Sequence, residues 1–515
     1  MIHRVFHICQ TSLWNLSPSL LVSIMSVKTK LSTNFSGPGI FAGTRAASVQ
    51  CGKEPPMTTQ TDTIAAMSTP PGAGAIGILR LSGQSAVSIA ETCFKPLGHS
   101  GLRDHKPREL VYGDLLDSGG QPIDRVLCTY SLGPSSYTGE DTAEFHCHGS
   151  PMVLTLGLEA LFAAGARQAG AGEFTRRAFL NGRLDLAQAE AVGDLLEAQS
   201  REGARHAAGQ LAGALSRRIG DIYSALVDVM AHFHAVLDYP DEDIDPFRLE
   251  QLDAALSVQE GELNALLASC GRAKLLKDGA ACAIVGRPNA GKSSLLNAMV
   301  GYDRAIVTDI PGTTRDTVEE RCELGGVPLR LIDTAGLRDT TDPVEKLGVE
   351  RSRRAMEEAE LILVLLDSSR PAEDEDFSLL QEAMALAPTI LVWTKGDLPG
   401  QPCPVKRYEE IRCPAVTVSA RTRYLDELCN EISCAFPQDL WGGYGEILTN
   451  ARQEEAASRA REAVRRAREA LQAGMTPDAL LTDVEEALAA LGEVTGQSVR
   501  EDVTDRIFQR FCVGK

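Results

Sequence analysis

The stretch Gly286-Arg287-Pro288-Asn289-Ala290-Gly291-Lys292-Ser293-Ser294 decides how the middle of this chain folds. Its first eight residues fit G-x-x-x-x-G-K-[ST]. The stretch follows an apolar run, Ala281–Val285, and opens a helical pattern over Ser294–Val300. A buried strand, a glycine-rich turn and a helix start, in that order, make a phosphate cradle. The glycines let backbone N–H groups curl round an anion, and the lysine adds a point charge. The pattern puts Lys292 within reach of the β- and γ-phosphates of a nucleotide, and the Ser293 hydroxyl in place to ligate Mg2+. A glycine turn without a ligand is the bland alternative, and the strand–helix context weighs against it.

Further elements follow in order. Asp333-Thr334-Ala335-Gly336 closes the apolar run Leu329–Ile332. Its carboxylate sits where one that holds Mg2+ through water belongs, and the Gly336 N–H can sense a γ-phosphate. Thr394-Lys395-Gly396-Asp397 closes the run Ile390–Trp393. Asp397 can accept both N1–H and the amino group of guanine, a donor pair that adenine lacks. Ser419-Ala420 ends the run Ala415–Val418 and supports the base edge. Upstream, Thr313-Thr314 offers a switch hydroxyl for Mg2+. A phosphate loop alone leaves ATP and GTP open; the Thr-Lys-Gly-Asp and Ser-Ala pair selects guanine. Together these elements predict a GTPase domain.

The residue after Asp-x-x-Gly is Leu337, which can neither donate nor accept a hydrogen bond to an attacking water. Another group must orient the nucleophile and neutralise transition-state charge. Asn289 is a candidate ligand for a monovalent cation in that second role, and Glu345 a candidate to orient the water.

Strand-like runs such as Ile76–Leu81 and Arg125–Tyr130 alternate with Gly/Pro turns over 62–180, with one helical pattern at Val153–Ala164, so this part reads as mixed α and β. From Leu184 the pattern turns helical. Leu211, Leu215, Ile219, Ile222, Leu226, Val229, Phe233 and Val236 recur at spacings of three and four, one face of a long helix that stops near Tyr239-Pro240. A second helical pattern runs to about Lys277. Residues 279–436 alternate apolar runs, Leu361–Leu366 among them, with helical patterns, which predicts a mostly parallel sheet covered on both faces. Residues 445–515 are helical again, with Thr476-Pro477 as a helix start. The expected architecture is an α/β G domain inserted in an all-α helical domain, preceded by an α+β domain. The expected boundaries are 57–181, then 182–278 with 439–515, and 279–438 for the insert.

At roughly 150 residues per domain, a chain of 515 residues allows about three domains. Hydrophobic residues at 43% and charged residues at 23% exclude a disordered or fibrous chain. No uninterrupted apolar run reaches the length of a membrane span. A net charge of −19 argues against a chain-wide nucleic-acid footprint. The 13 cysteines are scattered without a CxxC pair and read as reduced thiols in a cytosol-like compartment. Residues 1–56 differ: Arg4, Lys28, Lys30, Arg45 and Lys53 face the single acid Glu54. This stretch reads as the product of an upstream start in a bacterial protein, with Met57 the true beginning, or as a mitochondrial transit peptide.

The G-domain string resembles the MnmE (TrmE) family of tRNA-modification GTPases. So do Ala305-Ile-Val-Thr-Asp-Ile310, the segment Glu173-Phe-Thr-Arg-Arg-Ala-Phe-Leu-Asn-Gly-Arg-Leu-Asp-Leu-Ala-Gln-Ala-Glu190 and the terminal Phe511-Cys-Val-Gly-Lys515. The resemblance runs from about Asp62 to Lys515. It implies a folate-binding N-terminal domain that dimerises, a helical domain and an inserted G domain. It further implies a homodimer that joins an FAD-containing MnmG (GidA) protein in a heterotetramer, FAD staying on that partner. Together they place an aminomethyl or carboxymethylaminomethyl group at C5 of the wobble uridine of tRNA. The one-carbon unit comes from a tetrahydrofolate derivative, 5-formyl- or methylene-tetrahydrofolate. G domains pair across nucleotide and K+. A cytoplasmic protein without a membrane partner follows.

Carried onto this sequence, the resemblance gives folate contacts at Arg80, Glu144, Arg183 and Lys515. K+ falls to Asn289, Thr308, Ile310 and Thr313, and Mg2+ to Ser293 and Thr314. The implied nucleotide contacts are Asn289, Ala290, Gly291, Lys292, Ser293, Ser294, Thr308, Asp309, Ile310, Pro311, Gly312, Thr313, Thr314, Asp333, Thr334, Ala335, Gly336, Thr394, Lys395, Gly396, Asp397, Ser419, Ala420 and Arg421. Glu345, with Lys292 and Asp333, is implied in catalysis. Cys512 matches a family cysteine whose role stays open. Three positions depart from the family pattern. Thr394 stands where Asn is frequent, Arg183 where Lys occurs, and Pro311 stiffens the cation loop. The rival reading is a regulatory GTP switch in ribosome assembly without one-carbon chemistry; an intact Arg80, Glu144 and Lys515 set favours modification.

Some patterns point elsewhere. Gly72-Ala-Gly74-Ala-Ile-Gly77 matches a dinucleotide fingerprint, but a strand pattern follows it, so it reads as a turn entering a strand. His146-Cys147-His148 alternates, which puts the two histidines on one strand face and reads as a strand end beside the folate pocket rather than a metal site. The arginines at 459–468 interleave with Glu454, Glu455, Glu462 and Glu469, which reads as a salt-bridged face sooner than an RNA contact.

Overall fold

The computed structural model describes residues 62–98, 100–198, 200–238, 249–302, 320–332, 353–398, 412–436, 444–475, 477–497, 507–508, 511 and 514. Thr308 to Thr314, Asp333 to Leu337, Glu345, Thr476, Cys512 and Lys515 lie outside the described residues.

The first sheet has seven strands in the order β3-β4-β5-β6-β2-β1-β7. They are β1 (Ile64–Met67), β2 (Ile76–Ser82), β3 (Phe94–Pro96), β4 (Val111–Leu116), β5 (Pro122–Ser131), β6 (Thr142–His148) and β7 (Arg167–Gln168). On β2 and β6 the side chains alternate. Leu79, Leu81, Ala143, Phe145 and Cys147 are buried in one core, while Ile78, Arg80, Glu144 and His146 are only partly covered. Helix α1 (Ala86–Cys93) and helix α2 (Pro151–Ala163) supply side chains to that core. Two glycines let α2 approach: a Cβ at Gly77 would stand 2.5 Å from Leu154, and one at Gly157 2.5 Å from Leu79.

Helices α3 (Glu173–Leu180), α4 (Leu186–Glu197) and α5 (Arg201–Leu211) lead into α6 (Ala214–Asp238), α7 (Leu249–Ala268) and α8 (Cys270–Asp278). The single long helix expected through Leu211 is two helices. Gly213 at φ +82° closes α5 and separates Leu211 from Leu215. Much later in sequence come α12 (Ala451–Gln472) and α13 (Pro477–Thr495). Leu215, Ile219, Leu226, Leu252, Leu263, Val464, Val484 and Leu491 form one core with Ala456, Ala460, Ala463 and Ala467. The alanine stripe lets α12 lie close to its neighbours, and each fully buried leucine contributes about 1.5–3 kcal/mol. No helix among the described residues is long and apolar enough to cross a membrane.

Between α8 and α12 the chain forms a six-stranded sheet ordered β13-β12-β11-β8-β10-β9. β8 (Ala280–Gly286), β10 (Val327–Ile332), β11 (Leu361–Asp367), β12 (Thr389–Thr394) and β13 (Ala415–Thr417) are parallel, and β9 (Glu320–Leu324) is an antiparallel edge. Helices α9 (Lys292–Tyr302), α10 (Asp374–Leu386) and α11 (Asp426–Ala435) cover it. β11 is buried at every position, as a central parallel strand requires. This is an α/β G domain joined to a helical region. Its entry and exit are tied together: Leu448 N donates to Ser269 Oγ at 3.2 Å, and Gln210 Nε2 to the Ile447 carbonyl at 2.5 Å.

Candidate functional site

The phosphate loop leaves β8 through Gly286 (φ +154°), turns at Asn289 (φ +65°) and Gly291 (φ +91°), and enters α9. A side chain at Gly286 would collide with the Leu365 carbonyl at 2.6 Å, so the glycine is required by packing as well as by φ. Ala290 is buried, while Asn289 and Ser294 are exposed. Ser293 is the second residue of α9. Lys292 folds back over the loop, its Nζ donating to the Gly286 carbonyl at 2.7 Å and the Arg287 carbonyl at 3.0 Å. Burial holds its ammonium below the usual lysine value. A cation held by two backbone carbonyls at a helix start suits an incoming phosphate oxygen.

The base motif is bonded to this loop. Thr394 ends β12, and its hydroxyl donates to the Ala290 carbonyl at 2.7 Å, with the Leu366 carbonyl at 3.2 Å. Lys395 has φ +60° and places Nζ 2.5 Å from Asp367 Oδ2. Burial of Asp367 opposes its ionisation, but the bonds from Lys395 and Ser369 outweigh it and hold the carboxyl below the usual range. Gly396 packs beneath: its N–H donates to the Val418 carbonyl at 3.0 Å, and a Cβ there would meet Thr417 at 2.7 Å. Asp397 is exposed, with Oδ1 accepting from the buried Ser419 hydroxyl at 2.9 Å. The Ser-Ala turn therefore holds the Asp397 carboxylate in place. Ala420 packs partly buried on the core and Arg421 is exposed. Asp367 was not legible in the motif, though a carboxylate closing the otherwise apolar Leu361–Asp367 was the available signal.

On the open face of the first sheet, Arg80 and Glu144 are register partners, and Arg80 Nε donates to Glu144 Oε1 at 2.7 Å. The Arg80 guanidinium also lies 5.9 Å from the Tyr137 ring and 5.8 Å from the Phe174 ring. Burial raises the Tyr137 phenol, whose oxygen meets the Thr175 hydroxyl at 2.9 Å. Arg183 is exposed, and its stem lies against the Gly139 position of the loop that carries Tyr137.

Beneath these rings runs an ion network. Arg177 is 3% exposed and binds Asp62 at 2.9 Å, Glu140 at 3.0 Å and Glu173 at 3.0 Å. Burial would raise the Glu173 carboxyl, but bonds from Arg167, the Gly170 N–H and Arg177 exceed it and hold Glu173 at about 2.

The end of the chain reaches the same sheet. Phe508 and Phe511 pack together, against Phe179, Gly172 and Gly193, and Ser68 Oγ donates to the Gly514 carbonyl at 3.0 Å. Gly514 (φ +102°) is buried so close to the Met67 carbonyl that no Cβ fits. The neighbour of Lys515 in sequence thus sits at the end of β1, whose Met67 faces Leu79 of β2.

Other patterns resolve locally. Cys147 is buried on the face opposite His146 and His148, and His148 is bonded to Asp124. Four arginines of α12 form ion pairs across or along the helix: Arg459 with Glu493, Arg465 with Glu462 and Glu469, Arg466 with Asp483 and Glu486, and Arg468 with Asp253 and Glu260.

Two family models match the chain: the MnmE helical domain over residues 186–512 and the GTP-binding protein TrmE N-terminus over 63–183. The chain is 45% identical over 467 residues to the tRNA modification GTPase MnmE of Roseiflexus sp. (strain RS-1), covering 88% of this chain and 99% of that protein. It is 46% identical over 458 residues to the tRNA modification GTPase MnmE of Chloroflexus aurantiacus, covering 88% of this chain and all of that one. Among solved structures it is similar to a single-residue variant of Aquifex aeolicus Era bound to GDP and AlF4−. The two are 25% identical with a TM-score of 0.24, over 35% of this chain and 65% of that one.

Proposed function

We propose, from the premise that the chain belongs to the MnmE family of tRNA modification GTPases, that it couples GTP hydrolysis to one-carbon transfer onto C5 of the wobble uridine of tRNA. It is a GTP hydrolase acting in tRNA modification. Its G domain cradles the phosphates with the Gly286–Ser293 backbone and Lys292. It reads guanine with Asp397, which Ser419 holds. The Ser293 hydroxyl and, outside the described residues, Thr314 would hold Mg2+, which neutralises charge on the phosphates. Asn289, with Thr308, Ile310 and Thr313, would hold K+ beside the phosphates where Leu337 offers no polar group. Glu345 orients the attacking water, and Asp333 supports the Mg2+ shell.

The reading takes 57–181 as the folate-binding and dimerising domain, 182–278 with 439–515 as the helical domain, and 279–438 as the G domain. The tetrahydrofolate derivative lies against Arg80, Glu144, Arg183 and Lys515. The homodimer works with an FAD-containing MnmG protein in the cytoplasm. The observation that carries the folate part is the meeting of distant segments: the Arg80–Glu144 pair ringed by Tyr137 and Phe174, and Gly514 bonded just past the end of β1 in the same sheet. An ion pair between aromatic rings fits a flat, hydrogen-bonding heterocycle.

The test is GTP hydrolysis by the full chain in K+ and in Na+ at matched ionic strength, with 5-formyl-tetrahydrofolate binding measured by calorimetry. Stimulation by K+ and saturable folate binding are expected. Equal rates in the two salts would remove the cation assignment. Hydrolysis without folate binding would favour a regulatory switch.

A further inference from the structure

Behind the Arg80–Glu144 pair, two polar atoms have no assigned work. Thr129 Oγ1 and His146 Nε2 are both shut off from water and make no hydrogen bond among the described residues. Such buried atoms destabilise the fold unless something in the working state satisfies them. The sheet register brings both to one carboxylate. Thr129 on β5 stands directly opposite Glu144 on β6, and Arg80 on β2 stands opposite it on the other side. His146 follows two residues along β6 on the same face, with Nε2 3.5 Å from Glu144 Oε2. Arg80 already occupies Oε1 at 2.7 Å. The second oxygen of Glu144 therefore has an imidazole nitrogen just beyond hydrogen-bond length, and a hydroxyl in the facing strand position.

We infer that His146, with Thr129, is a positioning residue for Glu144 in the folate site, closing onto its free oxygen when the heterocycle binds. The inference rests on the folate reading of this face. A reduced pterin presents adjacent N–H donors, and a carboxylate accepts both only if its plane is fixed. Arg80 fixes one oxygen. His146 Nε2–H and the Thr129 hydroxyl are the donors in place to fix the other. The orphaned atoms then gain partners in the bound state, and part of the cost of leaving them unpaired is returned as affinity.

The experiment is calorimetric titration of the full chain with 5-formyl-tetrahydrofolate, each variant checked by its melting temperature. Arg80→Ala and Glu144→Ala are expected to lose binding. His146→Ala is expected to raise Kd about tenfold and Thr129→Val about threefold, as for lost hydrogen bonds to a charged group. His146→Gln, which keeps an N–H donor, should return Kd to within about threefold of the parent. If His146→Ala melts early and cannot be titrated, the Gln variant and Thr129→Val decide. Unchanged Kd for His146→Ala beside lost binding for Glu144→Ala would overturn the positioning role and leave the folate site standing. A Gln variant as weak as the Ala variant would also overturn it. Parent-like binding by Arg80→Ala and Glu144→Ala would overturn the folate reading itself.

Discussion

In the nucleotide cradle, consecutive residues from Gly286 to Ser293 supply the backbone, Thr394 braces it from the end of β12, and Ser419 beside the neighbouring β13 holds Asp397. On the open face of the first sheet, Arg80, Tyr137, Glu144 and Phe174 come from four separate segments, with the chain's far end fastened alongside. The first site is set by local backbone angles. The second is set by register, and a slip of one residue in β2 or β6 would turn Arg80 or Glu144 into the apolar core. The first should therefore tolerate damage elsewhere in the molecule, and the second should not.

The largest effect should come from Lys292→Ala. Losing the cation at the phosphates is expected to cut kcat/KM for GTP about a thousandfold, measured by phosphate release. Folate affinity in the same variant should match the parent; a comparable loss there would show that the two regions are not separable.

The second effect concerns the ion network under the sheet face. Glu173 sits at about 2 in the folded chain against 4.5 as a free side chain. Its folded value is depressed, so its stabilisation is complete above about pH 4.5 and is lost as pH falls from there towards 2. That amounts to about 3 kcal/mol. Melting temperature should fall through that window, and Glu173→Gln should flatten the fall while lowering stability at neutral pH. An unchanged acid slope in Glu173→Gln would mean that the network does not support the face.

The contrast also explains what the sequence disclosed. β8, β11 and β12 were legible because a run such as Leu361–Leu366 has one plausible use, and the phosphate loop because its glycines and lysine are adjacent. The break at Gly213 was hidden because the three-and-four spacing continues across it from Leu211 to Leu215. The Asp367–Lys395 bond and the ring pair around Arg80 were not legible, since strand order alone creates them. Arg80 and Glu144 were reached through family resemblance, not spacing. Glu345, Thr313, Thr314 and Lys515 lie outside the described residues.

A third, smaller effect separates the regions from the opposite side. Gly514→Ala forces a side chain onto the Met67 carbonyl at φ +102°. Strain of this kind costs about 1–3 kcal/mol, so folate affinity should fall about thirtyfold. GTP hydrolysis by the isolated chain should stay within twofold, roughly the range of surface changes. A parallel loss of hydrolysis would mean that the tail reports to the G domain.

The smallest effect tests whether Thr394 reads the base or braces the loop. Its single hydroxyl proton can serve one carbonyl at a time, and the shorter contact, 2.7 Å to Ala290, marks the bond that matters. Valine has nearly the same shape and cannot make it. One neutral hydrogen bond is worth about 1 kcal/mol net, so Thr394→Val should weaken GTP and GDP alike by about fivefold. The equality is the sharper expectation, because Ala290 belongs to the loop whose N–H groups both nucleotides share. Preference for guanine over adenine should not move, since Asp397 keeps its bond to Ser419. Thr394→Asn restores a donor at the same place and should bind at least as well as the parent. Should Thr394→Val relax the base preference instead, Thr394 would belong with Asp397 as a reader of guanine, and the cradle would be as dependent on assembled contacts as the sheet face is.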